Sequence, residues 1–548
     1  VPLTRREARE AARGNDSAPS SETPTVAMPV DSGAPTVSMR AEPAPTVAMG
    51  LDELVGIGAG AQAAADAAPA AAASPAGKPA ASRSGGIASL FAKHPNAWLF
   101  SALGVVFVLL GTGAVFAGSS FAPEATAAVA PSPSPTMSPP PRPVPATPAA
   151  ATRLRTCSIA SLAADPRLGT FEGSVLNATT GEVLFDRSAS TPGATASVMK
   201  TLIAATALKV LGPNYTLSTK VYAGSDPGSI VLVGGGDPTL SAGNGSVYAN
   251  PPQLSDLATQ VKAAREKQGL TDPITSIILD STMWNNADAW DPSWPVSERT
   301  QGYQPMIVPL MVDGDRASPA RQDSPRSTDP VAAAGAAFRT ALGLQGNVDF
   351  SRGAAITTNP QLGEVKSQPV STLIAEMLPV SDNTLAEMLA RVSSKVAGRD
   401  GSAASLTGVV TNALSSYGIT ATNLAIKDGS GESKNDGVPP IVVAQLMAKA
   451  LAGGDNLGVI YKALPISGKT GTLAGRFTGP NAVARGAVNA KTGSILNAYT
   501  LGGIVHAADG TSLAFAFYAL GNVGSAARTA LDTVTTGVFK CGDNLSNN

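Results

Sequence analysis

The stretch "TASVMKTLIAATALKVLG", residues 195–212, decides how the rest of the chain is read. Its apolar residues run for a helical length and stop at Gly212 and Pro213. Ser197 and Lys200 stand at i and i+3 near its start, hence on one helical face. A serine hydroxyl is a weak nucleophile until a neighbouring base takes its proton. A lysine one turn away can do so where burial disfavours the charged amine. The helix N-terminus also aims backbone N–H groups at a developing oxyanion. Ser-x-x-Lys alone occurs by chance on many helices, so other residues must support the reading.

Upstream, "TFEGSVLNATTGEVLFDRSAS", residues 170–190, predicts a hairpin whose strands flank "ATTGE". Downstream, "LPVSDNTLAEML", residues 378–389, sets Ser381, Asp382 and Asn383 before a helical run. Lys-Thr-Gly then occurs twice, in "ISGKTGTLAGRF" (466–477) and in "VNAKTGSILNAY" (488–499). Other nucleophile chemistry has little to draw on. The two histidines are His94 and His506, so a Ser-His-Asp triad would rest on His506 alone, and a multi-histidine zinc site is not available. His506, in "GGIVHAADG", reads as a strand end before a turn.

Ser-x-x-Lys, Ser-Asp-Asn and Lys-Thr-Gly, in that order, are together the motif set of the penicillin-recognising acyl-serine enzymes. Ser197 and Ser381 are 184 residues apart. A long insertion there resembles the class C, penicillin-binding protein 4 type of D-alanyl-D-alanine carboxypeptidase and endopeptidase. "LVGGGDPTLS" with Asp237, "YQPMIVPLMVDGD", "SDNTLAEML" and "KDGSGES" are similar to the same family, and the resemblance extends from about residue 165 to 535.

The resemblance implies an α/β fold of the serine β-lactamase and transpeptidase type, an antiparallel sheet with helices. Its catalytic domain is expected from residues 152–235 and 365–548, with a strand-rich insertion at 236–364. The later Lys-Thr-Gly is the expected catalytic copy. Lys491, Thr492, Gly493 and Ser494 open a run joined by "AADG" to "SLAFAFYAL", an antiparallel hairpin whose edge can pair with substrate. The earlier copy could be taken for a phosphate loop, but that loop needs glycine at position 463, where Ala463 stands.

The implied roles follow. Ser197 attacks the carbonyl of the penultimate D-alanine with Lys200 as base, and Ser381 relays the proton to the leaving amine. Asn383 fixes Lys200 and the substrate backbone, Lys491 supplies positive potential, and Thr492 binds the terminal carboxylate. The N–H groups of Ser197 and Ser494 form the oxyanion hole. No metal or organic cofactor is implied; peptidoglycan stem peptides are the expected substrates and β-lactams the expected acylating inhibitors. A catalytically silent wall-binding tether and a β-lactamase are the rival readings. Against the second, no glutamate occurs from 388 to 431 to activate a deacylating water. Asp237 is first of all a turn residue, and Trp284, Trp290 and Trp294 read as packing.

Only 14% of the 548 residues are charged and the net charge is −1, so nothing suggests a nucleic-acid partner. Residues 97–118, "AWLFSALGVVFVLLGTGAVFAG", run without a charge and are long enough for a transmembrane helix. A signal peptide would have a shorter apolar core and would not follow some ninety residues of polar chain. Lys78, Arg83 and Lys93 precede the run and the first base after it is Arg142, which predicts a cytoplasmic N-terminus and an extracellular catalytic domain. Residues 119–151 form a Pro-rich linker and 1–96 a disordered cytoplasmic arm. Within that arm Thr25, Thr36 and Thr46 each lie between Pro and Val, a repeat read as candidate phosphorylation sites for a phosphothreonine-binding partner or as drift in a biased tract. Cys157 and Cys541 lie near the two ends of the split domain, where an oxidised pair is expected outside the membrane.

Overall fold

The computed structural model describes residues 154–243 and 245–547. The span at 97–118, the Pro-rich stretch and the three threonines lie outside the described residues. No helix among the described residues is long and apolar enough to cross a membrane.

Strand β1 (Cys157–Ser158) leads to the hairpin β2 (Thr170–Asn177) and β3 (Val183–Arg187), where the "ATTGE" turn places it. The later strands β9 (Val488–Ile495), β10 (Ala498–His506) and β11 (Ser512–Leu520) form an antiparallel sheet in the order β11-β10-β9. The hairpin lies alongside β11, where Ala178 N–H donates to the Ser512 carbonyl at 3.0 Å. Period-2 alternation explains the layering. Leu513, Phe515, Phe517 and Ala519 of β11 pack with Val534 and Val538 of the C-terminal helix in one buried cluster. Ala514, Ala516 and Tyr518 face the other way, into a second cluster with Leu202, Ile203, Val442 and Val443.

The longer helices are α1 (Met199–Val210), α2 (Leu254–Lys267), α3 (Pro330–Ala341), α4 (Val370–Val380), α5 (Asn383–Val396), α6 (Leu406–Ser416), α7 (Pro440–Ala452) and α8 (Ala526–Cys541). The chain closes on β12 (Leu545–Ser546), which pairs in parallel with β1. Beside that pairing Cys157 and Cys541 form a disulfide, with Cα atoms 5.4 Å apart. Closing a loop of 384 residues contributes up to about 5 kcal/mol in the chain-entropy picture.

The insertion differs from its expected form in two ways. Strands β4 (Ser218–Ala223) and β5 (Ser229–Gly234), expected in the catalytic segment, instead share one sheet with β6 (Ser276–Asp280), β7 (Asp349–Arg352) and β8 (Gln361–Lys366). The sheet runs β7-β6-β5-β4-β8, mixed parallel and antiparallel, so the inserted layer begins at Ser218 and not at 236. A strand's own residues do not say which sheet it joins. The segment 236–364 is also less rich in strand than expected: it holds three short strands beside α2, α3 and long irregular chain. Helix α3 carries its own signals, with Asp329 accepting from Ala332 N–H as N-cap and Pro330 at the first position.

Candidate active site

The nucleophile candidate sits where loop becomes helix. Ser197 lies in the 3₁₀ turn Ala196–Val198 that runs directly into α1, and Ala196 is held at φ +45°, a left-handed conformation rare for alanine. Gly431 explains how that turn is clamped: a Cβ there would collide with the Ala196 carbonyl and approach Met199 Cβ at 2.9 Å. Lys200 is fully buried, and its Nζ donates to Ser197 Oγ at 2.9 Å and to the Ser430 carbonyl at 2.6 Å.

A second pair stands opposite. Ser381 is the C-cap of α4 at φ +63°, and Lys491 Nζ donates to its Oγ at 2.9 Å and to the Thr492 carbonyl at 2.8 Å. Lys491 is fully buried on β9, the edge of its sheet. Asn383, two residues after Ser381, opens α5 and is buried. Gly493 fits its place because a Cβ there would strike Thr500 Oγ1 and come within 2.8 Å of the Thr195 carbonyl and 2.9 Å of Ala196 Cβ. β9 can therefore lie against the turn that carries Ser197. Ser197, Ser381, Thr492, Gly493 and Ser494 line one cleft of about 260 Å³.

Lys469 is exposed in the 466–472 loop. The earlier Lys-Thr-Gly contributes to the cleft through the following Thr472, whose Oγ1 lies 2.8 Å from Thr492 Oγ1. His506 ends β10, bonded to Tyr461 and Ser512. Asp237 Oδ1 accepts from Thr239 N–H at 2.8 Å and from its hydroxyl at 2.6 Å, a turn bond within the chain. Trp284 and Trp294 are buried in the core. No group of three His, Cys, Asp or Glu side chains among the described residues could hold a metal ion.

Sequence reasoning missed the supports. Asp382 caps α5 through Leu385 N–H at 3.0 Å and is gripped from the insertion by Arg316 and Gln322, each at 2.8 Å. Burial pushes this carboxyl up, but Arg316, the Leu385 N–H and Gln322 outweigh it and hold its pKa at about 2. A second support lies behind Lys200. Glu387 accepts from Gly429 and Ser430 N–H groups, while Asp428 accepts from Gly431 and Ser433 N–H groups and from Trp294 Nε1. These acids shape the "KDGSGES" loop that offers Lys200 its carbonyl. No residue-type spacing announces a backbone carbonyl as a ligand. Pairing across more than a hundred residues, as between Trp294 and Asp428, leaves no local trace either.

Burial, and then the neighbouring Glu387, push the Asp428 carboxyl up to about 7. Burial and Asp428 push Asp436 upward as well. An unfolded Asp titrates near 3.9, so between about pH 4 and 7 the folded chain holds a proton that the unfolded chain has lost. Stability therefore falls as pH rises through that window. Glu172, raised to about 7, and Asp237, raised to about 6, both by burial, have the same sign. The depressed Asp382 acts oppositely, but its contribution is lost only as pH falls from about 4 towards 2. We predict that the melting midpoint drops by several degrees between pH 5 and pH 8, and that Asp428→Asn makes the slope shallower. An equal slope in the variant, by calorimetry, would refute this assignment.

The sequence matches the D-Ala-D-Ala carboxypeptidase 3 (S13) family over residues 155–325 and 316–538. The chain belongs to that family. Among its relatives, carboxypeptidase DacB of Mycolicibacterium smegmatis is 32% identical over 403 residues, covering 72% of this chain and 86% of that protein. Penicillin-binding protein 4 of Haemophilus influenzae shares the fold, with a TM-score of 0.57 and 20% identity over 69% of this chain and 97% of its own. The same protein complexed with a β-lactam gives a TM-score of 0.51 at 21% identity, again over 69% of this chain and 97% of that one.

Proposed function

We propose that the chain is a serine D,D-carboxypeptidase that cleaves the terminal D-Ala-D-Ala bond of peptidoglycan stem peptides through an acyl-enzyme, with D,D-endopeptidase action on cross-links. The observation that carries this reading is the paired arrangement of Lys200 on Ser197 and Lys491 on Ser381, both at 2.9 Å, around one cleft. Family membership supports it, as does the β-lactam complex of the Haemophilus protein for acylation by β-lactams.

The roles are those that the geometry can serve. Ser197 Oγ attacks the penultimate carbonyl while Lys200 takes its proton. The N–H groups of Ser197 and Ser494 hold the oxyanion, and Ser381 returns a proton to the departing amine. Asn383 steadies Lys200 and the substrate backbone. Lys491 keeps Ser381 in place and contributes positive potential, and Thr492 meets the terminal carboxylate. Water then hydrolyses the ester and restores Ser197. Purified protein incubated with pentapeptide muropeptides should release free D-alanine, and cross-linked dimers should yield monomers. Pentapeptides of unchanged mass after prolonged incubation would refute the carboxypeptidase reading.

For the N-terminal region the reading rests on sequence. An uninterrupted apolar run supports a single span at 97–118 with the catalytic part outside. The Pro-Thr-Val repeats at Thr25, Thr36 and Thr46 support phosphorylation that would recruit a phosphothreonine reader.

A further inference from the structure

The cleft takes two cationic side chains from the C-terminal half of the chain, Arg476 and Arg528, and neither belongs to the motif set. Arg476 is tied down: it forms a two-pronged pair with Asp532 at 2.7 and 3.0 Å and donates to the Arg528 carbonyl at 2.9 Å. This pairing fixes the first turns of α8 against the 471–477 segment. Arg528, half-buried on α8, places its guanidinium 5.5 Å over the ring of Tyr499. Tyr499 is the β10 residue directly opposite Ser494 of β9. The guanidinium is thus carried beside the Thr492–Ser494 edge, where the substrate strand is expected to lie.

Lys491 cannot serve the same end, because it is fully buried and donates to Ser381 Oγ and the Thr492 carbonyl. The insertion contributes Asp323 to the cleft, a charge that repels an anion. A carboxylate in this cleft is therefore steered towards Arg528. Guanidinium suits it, since the planar fork matches carboxylate geometry and stacking on an aromatic ring pre-organises the group.

We infer that Arg528 is a specificity-determining residue that binds the free α-carboxylate of the leaving D-amino acid, together with the Thr492 hydroxyl. The inference rests on the proposed D,D-peptidase reading. It makes the enzyme selective for peptides ending in a free acid, because that carboxylate lies only a few bonds beyond the scissile carbonyl and positions it at Ser197.

The test compares kcat/KM on an acyl-D-Ala-D-Ala peptide with that on its C-terminal amide, for the wild type, Arg528→Gln and Arg528→Lys. A hydrogen-bonded charge pair of this kind corresponds to about 10- to 100-fold in preference. The wild type should favour the free acid by that factor or more, Arg528→Gln should bring the ratio close to one, and Arg528→Lys should fall between. The ratio is internal to each preparation, so loss of folded protein cannot imitate the effect. An unchanged ratio in both variants would overturn the role of Arg528 and leave the peptidase reading intact. A wild type that cleaves neither peptide would overturn both.

Discussion

Replacing Lys200 by alanine is expected to slow acylation of Ser197 by about 10³-fold or more, within the range that general-base catalysis supplies. Lys200 is fully buried, and its Nζ reaches both Ser197 Oγ at 2.9 Å and the Ser430 carbonyl at 2.6 Å. Alanine removes the amine that the structure sets within hydrogen-bond reach of the nucleophile. It also takes a donor from the Ser430 carbonyl. The effect should appear as a fall in the rate of labelling by a fluorescent penicillin, measured over minutes to hours. A fall of less than tenfold would mean that another group takes the proton.

The second large effect separates the two Lys-Thr-Gly copies. Lys491→Ala should lower acylation by several orders of magnitude, and Lys469→Ala should change it by no more than about twofold, as expected for an exposed surface site. Lys491 has no exposure and bonds to Ser381 Oγ and the Thr492 carbonyl. Removing it would leave Ser381 without that contact and take a positive charge from the low-dielectric wall of the cleft. Lys469 stands in solvent on a loop. Labelling rates for the two variants, measured side by side, decide the matter, and the reverse ranking would place the catalytic strand elsewhere.

The site was legible to the extent that chemistry fixes spacing. Ser197 and Lys200 must stand one turn apart, so the short motifs could be read directly, and the "AADG" turn does join β10 to β11. The expected single run from Lys491, however, is broken at 496–497, which puts Lys491–Ser494 on the separate edge strand β9. Supports that act across long separations could not be read in this way. The Arg316–Asp382 pair joins residues 66 apart, and nothing around either one marks the other. Ser430 acts through its carbonyl, which every residue possesses. Glu387 is one polar position among several on α5, and only the fold turns it towards Gly429 and Ser430.

The fold shows the same division. The β2–β3 hairpin is local, and its turn residues declare it. β4 and β5 pair with β8 and β6 from sequence far downstream, so their membership of the inserted sheet could not be inferred from composition. Arg528 lay hidden for a related reason: a guanidinium on a C-terminal helix acquires meaning only once Tyr499 is seen beneath it and Ser494 beside Tyr499.

The proposed chemistry requires Ser197 to be the acylated residue. Intact mass followed by peptide mapping after exposure to benzylpenicillin tests that most directly. We predict one adduct per chain, on the peptide that contains Ser197, and none in Ser197→Ala; an adduct on another serine, or one that persists in the variant, would contradict it.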